Sequence, residues 1–104
     1  MKNHADKIVV TIVNKGKATK IIKKLKEKEF FDHTILYGTG TAHKHKTLYL
    51  LGIDSDPEKE IILSYTNEEK LEALLEYIVT VSNIDKPGRG ICFVVPLNTS
   101  RGRK

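Results

Sequence analysis

The stretch Lys7-Ile8-Val9-Val10-Thr11-Ile12-Val13 is almost wholly β-branched, and such side chains suit a pleated, packed surface. It predicts a first strand. Successive side chains of a strand point to opposite faces, so Ile8, Val10 and Ile12 line one face and Val9 and Val13 the other. Both faces are apolar. The same holds for Ile91-Cys92-Phe93-Val94-Val95, where Ile91, Phe93 and Val95 alternate with Cys92 and Val94. A sheet built around these two strands needs cover on both sides.

Working outward, Asn14-Lys15-Gly16-Lys17 reads as a turn. From Ala18 to about Lys28, apolar residues at 18, 21, 22 and 25 follow helical spacing, with Lys17, Lys20, Lys23, Lys24, Lys26 and Lys28 on the remaining faces. Phe30 to Tyr37 gives a second strand that stops at Gly38-Thr39-Gly40-Thr41. The long polar segment from Thr41 to Glu58 lacks a clear period and reads as a binding loop. Lys59 to Tyr65 is a third strand, and Thr66-x-x-Glu69 a capping box that opens a second helix with Leu71, Leu74, Leu75, Ile78 and Val79 on one face. Lys86-Pro87-Gly88-Arg89-Gly90 is a glycine-rich turn before the fourth strand, Ile91 to Val95, which Pro96 closes. The order is β-α-β followed by β-α-β, the split arrangement of an α+β, ferredoxin-like βαββαβ two-layer sandwich with a four-stranded antiparallel sheet. Its helices cover one face only. A partner chain is therefore expected on the other, most economically a second copy.

The composition fits that reading. With 104 residues, 39% hydrophobic and 30% charged, residues 1–104 make one domain. Its longest apolar runs, Ile8 to Val13 and Ile91 to Leu97, fall far short of the roughly 20 residues of a membrane helix. The lone Cys92 forbids an intramolecular disulfide and suits a reducing compartment, so a cytoplasmic location is expected. The net charge of +5 is unevenly spread: residues 1–52 hold 11 Lys and 4 acids, residues 53–85 hold 2 Lys and 9 acids, and residues 86–104 hold Lys86, Arg89, Arg101, Arg103 and Lys104 with no acid. Such blocks suit complementary faces or an anionic ligand better than a uniformly basic nucleic-acid binder.

The two Gly-x-Gly elements, Gly38-Thr39-Gly40 and Gly88-Arg89-Gly90, are the best site candidates, because glycine lets backbone N–H groups approach phosphate oxygens unobstructed. Lys86 and Arg89 add charge, with Arg101 and Arg103 as distal clamps. The bland alternative is a pair of ordinary turns. His43 and His45, with His4 and His33, raise a metal hypothesis, although no cysteine accompanies them and a solvated basic loop explains them as well. Cys92 lies in an apolar strand and reads as packing. No arginine precedes Arg89, which argues against an acylphosphatase-type phosphate grip in the loop after strand one. Strand one carries Val and Ile where an RNA-binding sheet would stack aromatics. The lysine-faced helix reads as solvated, and nucleic acid is not expected as a partner. No residue is assigned a catalytic role, and the chain is not read as an enzyme.

Across Val10-Thr11-Ile12-Val13-Asn14, Gly38-Thr39-Gly40-Thr41, Pro57-Glu58-Lys59-Glu60-Ile61 and Lys86-Pro87-Gly88-Arg89-Gly90-Ile91-Cys92-Phe93-Val94, the chain resembles the PII-like signalling family, typified by nitrogen regulatory proteins. The likeness spans nearly the whole length. It implies a homotrimer of non-enzymatic regulatory subunits that binds an adenine nucleotide (ATP, ADP or AMP) in clefts between subunits. Control of a partner, such as a membrane transporter or a metabolic enzyme, would run through the T-loop, here 41–58. The resemblance places Gly38, Thr39 and Gly40 at the foot of that loop and Gly88, Arg89 and Gly90 in the phosphate-cradling B-loop. Arg101 and Arg103 fall in the basic C-terminal segment, and Ser64 where the third strand borders the nucleotide. This chain departs from standard members in its shorter loop, in Ile91 where they carry a phosphate-reaching lysine, and in Ala42 and His43 where they carry a glutamine used with 2-oxoglutarate. The alternative of the same topology is a CutA-like trimer that binds divalent metal, resting on His43 and His45.

Overall fold

A computed structural model describes residues 5–39 and 58–97 of the chain. The elements run β1 (Lys7–Asn14), α1 (Ala18–Glu27), β2 (His33–Thr39), β3 (Glu58–Thr66), α2 (Glu68–Ser82) and β4 (Gly90–Pro96). The four strands form one sheet in the order β2-β3-β1-β4, with β1 antiparallel to both β3 and β4, and β2 antiparallel to β3. This is the ferredoxin-like α+β arrangement expected from the sequence.

Both helices lie on one face. Val9 and Val13 of β1 and Ile62 of β3 meet Ala18, Ile21 and Leu25 of α1 and Leu74 and Ile78 of α2 in the core, and Ile35, Cys92 and Val94 pack against it. Burying each large aliphatic side chain contributes about 1.5–3 kcal/mol. The Lys28 ammonium lies 5.6 Å from the centre of the Tyr77 ring, tying the end of α1 to α2.

The opposite face carries the other half of the alternation. In register, Val10 faces Leu63 on one side and Phe93 on the other, Ile12 faces Ile61 and Ile91, and Ile8 faces Tyr65 and Val95. No element among the described residues covers this face, and Leu36, Phe93 and Val95 remain exposed on it.

Three element ends differ from the sequence-based expectation. The strand expected from Phe30 starts at His33, because α1 ends in a Schellman motif that uses up the intervening residues. Glu29 takes a left-handed φ of 68°, its N–H bonds the Lys26 carbonyl, and the Phe30 N–H reaches back to Leu25 O. That strand also continues past Tyr37: Gly38 and Thr39 pair with Lys59 and Glu58, so they extend the ladder and do not turn. The cap of α2 is Asn67, whose side chain accepts from the Lys70 N–H at 3.0 Å, and not Thr66. Thr66 is held in the sheet, paired with Lys7 and accepting the Asp6 N–H.

Candidate functional site

The sheet register decides which candidate residues meet. Across one end of the sheet, Tyr37 stands beside Glu60, Glu60 beside Val13, and Val13 beside Gly90. Gly38 and Thr39 of the first glycine element and the whole of the second thus come to the same end. They lie on opposite edges, three strand spacings or about 14 Å apart. One chain cannot close them around a single phosphate.

Hydrogen bonds tie this end together. Lys59 is only 7% exposed; its ammonium donates to Asn14 Oδ1 at 2.7 Å, and Asn14 Nδ2 donates to the Gly88 carbonyl at 3.1 Å. A buried cation here sits between the strand that carries Gly38 and the turn that carries Gly88. On the helix side, the buried Glu60 accepts the Ala18 N–H at 2.8 Å. It takes the place of an N-cap at the start of α1, where Lys17 makes no capping bond. Lys15 and Glu58 form an ion pair at 2.7 Å at the same end.

The two described glycines of the 86–90 turn serve the backbone. Gly88 has a φ of 79° and Gly90 of 141°. A Cβ at Gly90 would lie 2.2 Å from the Ile12 carbonyl oxygen, so only glycine lets the turn seat against β1. The turn is closed by the Arg89 N–H bonding Lys86 O. Gly38, by contrast, is extended with open space where a Cβ would be. Lys86 and Arg89 are exposed.

Ser64 stands apart from these residues. It is fully buried, four residues along β3 from Glu60 and so about 13 Å away, and its row is His33, Ser64, Val9 and Val94. Its hydroxyl lies 2.9 Å from His33 Nδ1, while His33 Nε2 lies 2.7 Å from the Phe30 carbonyl. A carbonyl can only accept, so Nε2 carries the proton and Ser64 donates to Nδ1. Burial holds this imidazole below its ordinary value, against the opposing pull of the Phe30 carbonyl. Cys92 is half-buried, burial pushes its thiol up, and the Thr11 hydroxyl donates to the sulfur at 3.8 Å.

Gly40, Arg101 and Arg103, the loop expected over 41–58 except for Glu58, and the metal candidates His4, His43 and His45 lie outside the described residues. Among the described residues no three His, Cys, Asp or Glu side chains group to hold a metal, and no helix is long and apolar enough to cross a membrane. Sequence reasoning took Lys59 only as the start of the third strand and missed it as a buried cation. It also left Lys17, Lys20 and Lys24 as a solvated face, although the structure sets them around one cleft with Arg89. Their spacing of three and four was the available signal.

No family model matches the chain, and no curated protein does. Solved structures do. The Arabidopsis thaliana PII protein bound to citrate superposes with a TM-score of 0.66 at 15% identity, covering 89% of this chain and 78% of that one. A functionally unknown protein from Pediococcus pentosaceus superposes with a TM-score of 0.66 at 17% identity, covering 96% of this chain and 99% of the other. The chain shares their fold.

Proposed function

We propose that this chain is a PII-like regulatory subunit that assembles as a homotrimer and binds an adenine nucleotide where subunits meet. The observation that carries the reading is the separation of the two glycine elements at one end of the sheet. Gly38 on the β2 edge and Gly88 to Gly90 on the β4 edge are too far apart to act together in one chain. They become useful when a neighbouring subunit brings its own edge alongside. The uncovered apolar face supplies the reason for a neighbour to be there. The fold shared with a PII protein points the same way.

In this reading the backbone of the 86–90 turn and the Arg89 guanidinium receive phosphate oxygens, and Lys59 offers a cation next to the foot of the 41–58 segment. The resemblance to PII-like proteins would add Arg101 and Arg103 as further charges for the nucleotide. The segment 41–58 links β2 to β3 beside this site, so a nucleotide that favours one arrangement of it alters what a partner protein meets there. The role is binding and signalling, with no reaction catalysed.

Titration calorimetry with ATP, ADP and AMP on the assembled protein tests this. One nucleotide site per chain is expected, weakened at least about tenfold in Arg89→Ala, a loss of about 1.4 kcal/mol or more. Absence of heat with all three, on protein that sedimentation shows to be assembled, overturns the nucleotide reading.

A further inference from the structure

On the helix side of the sheet, the start of α1, the end of α2 and the 86–90 turn enclose a cleft of about 320 Å³. Its floor is apolar, from Val13, Ile21 and Val81, and its rim carries Lys17, Lys20, Lys24 and Arg89. No carboxylate lines it. The ion pairs among the described residues involve Lys7 with Glu68 and Lys15 with Glu58, and none of the four rim cations. We infer that this cleft is an anion site within a single chain, suited to a small molecule bearing two or more phosphate or carboxylate groups.

The electrostatics of α1 support this. Its first turn contains no acidic residue, so Lys17 and Lys20 oppose the positive end of the helix dipole. Lys20 and Lys24 are neighbours on one face, a like-charge pairing that weakens an isolated helix. The buried Glu60 beneath the helix start is engaged with the Ala18 N–H on the core side and does not line the cleft. Four cations around a concave, low-dielectric floor concentrate positive potential, and a multivalent anion relieves their repulsion all at once. The volume admits a compact metabolite and is too small for a polymer to thread. The site needs no second subunit, but it shares Gly88 and Arg89 with the proposed nucleotide site, so its test turns on Lys20 and Lys24, which the nucleotide reading does not use.

Two-dimensional amide NMR with inorganic pyrophosphate, and separately with citrate, tests it on the full chain. Expected are saturable shifts confined to residues 17–24 and 81–89, abolished by high salt, with the tighter of the two probes naming phosphate or carboxylate as the preferred group. Lys20→Gln and Lys24→Gln, both on an exposed helix face, should each weaken that binding about fivefold while leaving the adenine-nucleotide heat unchanged. Shifts spread equally over Lys26 and Lys28, which lie off the cleft, would show nonspecific screening and overturn the site. So would no saturation with either probe, or affinity for oligonucleotides that rises with their length and exceeds that for pyrophosphate.

Discussion

Both faces of the sheet are apolar, one more than a solitary two-layer protein can cover. The face under the helices mixes its apolar core with polar groups: Thr11 and Ser64 are fully buried there, and Glu60 and Thr66 nearly so. The face without helices holds Ile8, Val10, Ile12, Leu36, Ile61, Leu63, Ile91, Phe93 and Val95. Leu36 is 46% and Phe93 42% exposed, so large apolar side chains on this face meet water. A sheet with a wet side alternates apolar and polar residues. The open side does not, which teaches that it is built to be covered, whereas the helix side can house hydroxyls because each finds a partner. No buried side-chain polar atom among the described residues lacks a hydrogen bond.

The largest effect is expected where the open face is interrupted. Val10 sits between Leu63 and Phe93 at its centre, so Val10→Asp places a carboxylate in the proposed subunit seam at a cost of several kcal/mol. Sedimentation should then report a mass near the single-chain 11.8 kDa, with circular dichroism unchanged and nucleotide binding lost. A natural chain that already sediments at that mass breaks the comparison itself.

The covered face should answer in stability, not assembly. Ile62 is fully buried at the middle of the helix side, and Ile62→Ala should lower unfolding free energy by about 2–4 kcal/mol in urea titrations. Gly90→Ala should cost about 2 kcal/mol, since its Cβ meets the Ile12 carbonyl, a backbone atom that cannot swing aside. If Gly90→Ala instead abolishes nucleotide binding at full stability, the glycine belongs to the ligand and not to the strand seat.

This contrast also marks what the sequence made legible. Ile8 to Val13 and Ile91 to Val95 declare strands, and their double apolar character declares two coverings, because period-two patterns survive folding unchanged. Element ends are set by tertiary partners and were less legible. Thr66 and Asn67 are both competent caps; pairing of Thr66 with Lys7 left the role to Asn67. Glu29 entering left-handed backbone has no local signature, since glycine usually marks that position. Of the candidate site, the 86–90 turn was readable from its glycines. The burial of Lys59 and the meeting of α1 lysines with Arg89 depend on strand order and helix placement, which no local spacing contains. Ser64 was expected beside the nucleotide; its hydroxyl is engaged with His33 at the other end of the sheet.

That hydroxyl gives the two smallest predictions, both confined to the covered face. Ser64→Ala leaves His33 Nδ1 without its donor and should cost about 1 kcal/mol. The histidine supplies a pH test with a definite sign. Burial holds the folded His33 below its ordinary 6.5, so between the two values the unfolded chain binds more protons than the folded one, and stability rises with pH. The contribution is complete above pH 6.5 and is lost as pH falls through the lowered folded value. Protonation would also reverse the Ser64 bond, because Nδ1 becomes a donor. Asp32 favours the charged ring and Lys26 opposes it, but neither outweighs burial. Thermal melts at pH 8, 6.5 and 5 should show the natural chain losing more stability over the last step than His33→Gln, which keeps every other histidine and carboxylate. Equal losses would mean that the polar pocket under the helices opens to water on acidification at no cost, and the contrast between a sealed helix side and an unsealed sheet side would lose its sharper half.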